Sequence, residues 1–495
     1  MKIRPFIPCT LLAISLTCLA QEPNPFVKKE GAKAPEKSSS ENSPESSPDL
    51  SYVGIVEHIL VPPDLIDGWM RKNGMPADAS NLRAAVQQWV VEGKATLDHT
   101  SVGVGVTGQR AKNESILEQI YPTEYQQNGS GVWPLPTSFE TRNLGYTAEF
   151  LGYTDEYATG PGGGAPRLSM EGQFIEMQGS AIWDSLMEKT RQPDDVFFPI
   201  IRTMGLGQGA SQAVTNAAAP GTSSPSTQGG KYTLISRMDP LAEERKSGLP
   251  SRLVFLRGDF SKDTAKSPPL SESRYVSLAV VKVPHLEFSA WLQKQAPLSV
   301  PREAWQLAEA LRKDGIAELL DAADGIAGSA PKWTIENIRD VIYPTEWEPA
   351  SQRTFLERWA APPEQNVDGK QAPGLATYGR YKIEALPGLK GASTATSFES
   401  RNIGTTLEME TKTDGQGVHI SFSRVSQVAE TVYRRIEDQG KWIPDVKLPL
   451  FASTRCTTVY RFVPGQWTMI STGSEYTGPG KVDREHCLLM FVKVE

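Results

Sequence analysis

The chain is 495 residues long with a formal net charge of −7. That length supports roughly two to four domains, each able to bury a core of its own. Neutralising phosphates takes clustered Lys and Arg, which this acidic chain does not offer, so nucleic acid is excluded as a partner.

Residues 1–20, MKIRPFIPCTLLAISLTCLA, begin with Lys2 and Arg4, pass into the apolar run Leu11 to Leu16 and end on the small residue Ala20. This is the plan of a secretory signal peptide, and the apolar run is far shorter than the roughly 20 residues a membrane span needs. Cys18 offers the alternative of a lipidated cysteine, although Leu16 and Thr17 suit such a site poorly. Residues 21–50 are rich in Pro, Ser, Glu and Lys and cannot bury enough apolar area to offset their ordering, so they read as a disordered tether. Beyond Ala20 the remaining cysteines are Cys456 and Cys487, both in apolar, strand-like text. An exported chain permits a disulfide between them, the alternative being two buried thiols.

From residue 51 the text is written twice. Trp69 returns as Trp291, a shift of 222, and Ile120-Tyr121-Pro122-Thr123-Glu124 returns as Ile342-Tyr343-Pro344-Thr345-Glu346 at the same shift. Tyr52-Val53 is matched with Tyr275-Val276. Leu82, Ala85, Val86 and Trp89 form a helical stripe, and Ala304, Leu307, Ala308 and Leu311 repeat it. Period-two alternation at Ile116, Glu118, Ile120 and at Ile338, Asp340, Ile342 predicts half-buried strands ending at a proline. SFETRNLG at 138–145 returns as SFESRNIG at 397–404, each leading into a further alternating strand. Asp195 to Ile201 matches Asp445 to Phe451, and both copies end on apolar strands at Leu253–Leu256 and Leu488–Val492. The expected fold class is α+β: two tandem homologous domains, 51–265 and 272–495, each a β-rich antiparallel or mixed sheet with one or two packed helices.

The order of these landmarks resembles the C-terminal region of bacterial secretins, the outer-membrane ring proteins of secretion and type IV pilus systems. The resemblance rests on Gln109-Arg110-Ala111 through Ile120-Tyr121-Pro122, on SFETRNLG leading into Tyr146 to Phe150, on Thr457 through Gly465-Gln466-Trp467-Thr468-Met469-Ile470, and on Leu488 to Val492. The sequence departs from that family where Ser471-Thr472-Gly473 stands in place of a double glycine, and it lacks the family's Leu-Gly-x-x-Pro-x-Leu-Gly segment. The resemblance implies a non-enzymatic, exported envelope protein in the periplasm or at the outer membrane. It would be a structural or accessory component of a secretion or pilus assembly, with protein partners that include other copies of itself.

Other candidate chemistry is weak. Gly103 to Gly108 spells G-x-G-x-x-G, yet the second copy, Gly325 to Ala330, abandons the pattern, so it reads as a turn and no cofactor is expected. The five histidines, His58, His99, His285, His419 and His486, show no metal-ligand spacing. The acid pairs Asp194-Asp195 and Glu140 with Glu149 support a hydrolase only if a cleft gathers them. The most specific polar pattern is Glu140, Arg142 and Asn143, repeated as Glu399, Arg401 and Asn402, which suits cross-strand pairing that fixes register or, alternatively, two equivalent ligand contacts. A secreted glycan- or surface-binding module is the competing function. It would use the inserts 158–166, 206–230 and 362–375, with Trp133, Trp347 and Trp467 as candidate sugar-gripping aromatics.

Overall fold

The computed structural model describes residues 50–126, 135–154, 166–181, 198–206, 211–213, 230–261, 274–327, 332–348, 393–411, 417–438 and 441–495. The first half holds β1 (Ser51–Val61), α1 (Pro63–Asn73), α2 (Ser80–Val91), β2 (Thr96–Val106), β3 (Arg110–Gln126), β4 (Leu135–Thr154), β5 (Pro166–Ala181), β6 (Phe198–Leu206), β7 (Ser211–Ala213), β8 (Thr233–Met238), α3 (Ala242–Lys246) and β9 (Ser251–Ser261). The second holds β10 (Arg274–Pro284), α4 (His285–Leu292), α5 (Val300–Lys313), β11 (Glu318–Ala327), β12 (Lys332–Glu348), β13 (Thr394–Thr411), β14 (Val418–Asp438), β15 (Lys441–Tyr460), β16 (Thr468–Gly473), β17 (Tyr476–Gly478), β18 (Lys481–Val482) and β19 (His486–Val494).

Each half builds a four-stranded antiparallel sheet, ordered β2-β1-β9-β8 in the first and β11-β10-β19-β16 in the second. Alternation decides what each face covers. Leu253 and Phe255 of β9 pack with Leu82 and Val86 of α2, while Val254 and Leu256 point the other way, toward Tyr146, Ala148 and Phe150 of β4. The second half repeats the arrangement with Phe288, Leu292, Ala304 and Ala308 on the helices and Leu407, Met409, Ile420 and Phe422 on the long strands. Both small sheets thus lie between helices on one side and a single long-stranded sheet on the other.

That long sheet runs through both halves in the order β12-β13-β14-β15-β3-β4-β5-β6, with β7 continuing the β6 side of β5. The halves join where β15 pairs antiparallel with β3, Phe451 opposite Glu118 through Thr457 opposite Lys112. Beyond the small sheets the long strands curl until Glu346 of β12 meets Ser138 of β4. Ile120, Leu135, Tyr433, Val446 and Leu448 fill that distal end.

Register agrees between halves down to the irregularities. Gly145 stands opposite Ile116 and Ile175, and Gly404 stands opposite Ile338 and Val425. Ladders break at His58/Ile59 and at Val280/Val281, and again at Leu234/Ser236 and at Met469/Ser471. Gly145 and Gly404 take φ of +122° and +125°, and a Cβ there would overlap the carbonyl oxygens of Ser115 and Asn337 respectively. This is why both octapeptides end in glycine. One landmark shifts: Val53 pairs with Val104 and Tyr275 with Ile326, so Tyr275 occupies the place of Val53 rather than that of Tyr52. A slip of one residue exchanges faces, so Tyr275 does not take the buried place of Tyr52 and is itself exposed.

The α+β expectation is corrected. Strand accounts for 66 % of the described residues and helix for 17 %, in several antiparallel sheets, so the fold is close to all-β. The helical stripes form helices where expected, but these are short covers on one face of small sheets, while single long strands reach 20 or 21 residues. Residues 1–49 and the boundary expected between 265 and 272 lie outside the described residues.

Candidate functional site

The densest polar chemistry lies at the joint between the halves. Strand β2 ends the first small sheet, and side chains rather than a ladder satisfy its outer backbone groups. Thr472 Oγ1 of β16 accepts from Val102 N at 2.9 Å and donates to Thr100 O at 2.8 Å. Thr458 of β15 donates to Val104 O, and Asn113 Nδ2 donates to Val102 O at 2.9 Å. Ser474 reaches between β2 and β3, with His99 Nδ1 2.7 Å from its Oγ and Ser115 Oγ accepting from its N at 3.0 Å. Such polar filling satisfies buried groups and fixes one docking geometry.

Charges are buried with it. Asp98 of β2 accepts from Arg252 of β9 and, at 2.6 Å, from Arg484 Nε of the second half. Burial pushes the Asp98 carboxyl up, but Arg252 and Arg484 outweigh it and hold it well below the usual carboxylate range. Glu57 and Arg83 form a second enclosed pair at 2.6 Å, with Ser289 of α4 donating to Glu57 at 3.1 Å. Arg257 donates to Leu292 O and Gln295 O at the C-terminal end of α4, where cations and donors stabilise a helix. His58 and His99 face each other across β1 and β2 with rings 6.3 Å apart, and His285 Nε2 lies 2.8 Å from Thr100 Oγ1. Burial lowers all three, His99 to about 3, so they are neutral in the folded chain. Sequence spacing hid this cluster, because only the β1–β2 register and the docking of the halves bring the three together.

The repeated polar pattern does not gather at one place. Glu140 accepts from Tyr121 OH at 3.1 Å and Glu399 from Tyr343 OH at 3.3 Å, each directly across its own ladder. The glutamate recurs because its tyrosine recurs. Arg401 donates to Glu118 of the first half, whereas Arg142, Asn143 and Asn402 are exposed. Cys456 and Cys487 are free and buried, the second of the two arrangements the sequence left open. Burial pushes the Cys456 thiol up to about 12 and raises that of Cys487 as well, so neither is poised to react.

The glycine motif is also corrected in part. Gly103 and Gly105 lie inside β2, where a Cβ would strike the rings of Phe150 and Tyr52, and Gly108 alone makes a turn. Trp467 stacks on Trp305 at 4.3 Å and Trp347 packs into the distal cluster, so both serve packing. Glu149 pairs with Arg110 at 3.0 Å, away from the Tyr121 partner of Glu140. Among the described residues no group of His, Cys, Asp and Glu is placed to hold a metal ion. Trp133, Asp194, Asp195 and most of the three inserts lie outside the described residues.

At the far end of the second half, β11 and β12 stand where β2 and β3 stand in the first, and among the described residues no further unit pairs with them. Val104 is 0 % exposed and its counterpart Ile326 67 %; Ile116 is 8 % and Ile338 40 %; Ile120 is 4 % and Ile342 71 %. Between these strands lies a shallow hollow of about 10 Å³ lined by Asp321, Ala322, Ala323, Ile335 and Asn337 among others. Their counterparts across the shift of 222 include His99, Thr100 and Ser115, the residues that receive Thr472 and Ser474 at the joint. An apolar edge of this kind is a docking surface or an aggregation hazard.

No family model matches the chain, and no curated protein matches it. Among solved structures, it is similar to the secretin-domain β-barrel of InvG from the Salmonella SPI-1 injectisome, at 11 % identity over 43 % of this chain, with a TM-score of 0.18. The chain spans 61 % of the length of that structure, and a likeness of this size supports no conclusion about fold or function.

Proposed function

We propose that the chain is a non-enzymatic, exported component of a cell-envelope assembly, structural or accessory in role, built from two copies of one β-rich unit. Common sheet order, register and ladder breaks support the two-copy construction. The observation that carries the functional reading is the open end at β11 and β12. Ile326, Ile338 and Ile342 are presented to solvent at positions that, in the first half, a second unit buries. Exposed apolar strand edges are commonly blunted by charge or covered, so a row retained in this position fits a protein partner.

The secretin-like motif order supports placing that partner in a secretion or pilus assembly. Among the described residues no helix is long and apolar enough to cross a membrane, a statement that does not bear on strands. Fractionation of envelopes under mild detergent tests the reading. The chain is expected in a high-mass complex that Ile326→Lys disperses, and a partnerless soluble monomer in those envelopes would contradict it.

A further inference from the structure

We infer that the occupant of the open end is a second copy of this chain, docked head to tail so that the joint between β15 and β3 is repeated between molecules. This rests on the proposed docking role of β11 and β12 and adds the partner and the register.

The inner joint has two faces. One is β2 with β3; the other is β16 with β15. The counterparts of the first face are β11 and β12, which end their sheets at one side of the molecule. The counterparts of the second are β8 and β6, which stand last in the strand orders of the first small sheet and of the long sheet, β6 at the other end from β12. Among the described residues, every molecule therefore carries, unpaired, one of each face of a contact that it already makes internally. Such a heterologous contact builds a ring if its rotation closes and a filament if it does not.

The ladders fix the register without further assumption. Gly145 and Gly404 are equivalent; Ile175 and Val425 stand opposite them; Thr203 and Ser453 stand opposite those. At the inner joint Ser453 faces Ile116, so between molecules Thr203 of β6 faces Ile338 of β12. The neighbouring pairs are then Arg202 with Arg339 and Ile201 with Asp340. Likewise, Thr472 of β16 corresponds to Arg237 of β8, because each pairs with the equivalent leucine, Leu489 or Leu253. Arg237, held by Asp67 and Asp239 in its own half, is thereby the residue placed against β11, where Asp321 is itself held by Arg424 and Thr405. The β12 segment engaged in this way ends at Asp340, short of the Glu346 contact with β4.

Cysteine pairing on the purified full chain tests this. In an antiparallel ladder, neighbouring pairs alternate between Cα separations of about 4.5 and 5.5 Å, both within reach of a disulfide. Thr203→Cys chains mixed with Ile338→Cys chains, and Arg202→Cys chains mixed with Arg339→Cys chains, are expected to give linked dimers under mild oxidation. A chain carrying both Thr203→Cys and Ile338→Cys is expected to give a ladder of higher species. The unaltered chain and the slipped mixture of Thr203→Cys with Arg339→Cys should link at least ten-fold less. Folded variants that link in neither aligned pair, or that link best in the slipped one, overturn the inference. If linking fails while the envelope complex persists, a different protein occupies the open end and the proposed function stands; if both fail, both fall.

Discussion

At the scale of single residues, the joint is a buried polar layer whose stability depends on protonation. His58 is enclosed by Tyr146, Phe174 and His99, and neither ring nitrogen has a hydrogen-bond partner. Arg252 adds to the burial that lowers its pKa, with only Asp98 opposing. For His58, His99 and His285 the folded pKa lies below the unfolded value near 6.5. Their contribution is therefore complete above about pH 6.5 and is lost as pH falls toward the folded values, because the unfolded chain then binds more protons. Each such histidine removes about 1.4 kcal/mol per pH unit within its window. For His99 the window runs from 6.5 to about 3. Urea midpoints should thus stay level from pH 7.5 to about 6.5 and decline from there to pH 5. His58→Leu should flatten that decline while changing stability little at pH 7.5, since it removes a polar group that nothing satisfies. A large loss at pH 7.5 would show that the ring does more than fill space.

At the scale of elements, the repeated device is the positive-φ glycine in β4 and β13. Gly145→Ala and Gly404→Ala each force a Cβ into a backbone carbonyl at positive φ. Each substitution is expected to cost about 1–3 kcal/mol or more. Chemical denaturation should find similar losses at the two sites, and a loss at only one would argue against equivalent strands. Strand and helix positions were legible in the sequence because Ile116 to Ile120, Leu82 to Trp89 and the two octapeptides carry local period and turn chemistry. The dominance of strand was not, since β14 and β15 continue through polar text such as Glu430 and Lys447, where a cross-strand ion pair replaces apolar alternation. The candidate site was less legible still. Val104 and Ile326 look alike in sequence, and only the pairing of β15 with β3 reveals that one is covered and the other open. The cysteines were undecided in the same way, since apolar strand text suits a bridge and a packed thiol equally, and in the fold they are free and buried.

At the scale of the whole molecule, two units joined through complementary faces leave one face of each kind at the ends. The outer joint is not a perfect copy of the inner one. Where Ala452 faces Leu117 inside the molecule, Arg202 faces Arg339 between molecules, and like charges directly opposed weaken a ladder, an effect that the Glu244 partner of Arg202 reduces. Salt should therefore tighten the association by screening that pair. Arg339→Glu should lower the dissociation constant by roughly two- to five-fold at low salt, read by sedimentation, as an opposed pair of unlike charges is worth about 0.2–1 kcal/mol. Weaker association of that variant would place Arg339 elsewhere than opposite Arg202. Hydrogen exchange tests the central claim most directly, comparing the segments 319–326 and 334–340 with their counterparts 97–104 and 112–118. In dilute solution the first two should exchange much faster than the second two, and raising the chain concentration should slow the first two alone. Equal protection of all four in dilute solution, or no change with concentration, would contradict the account.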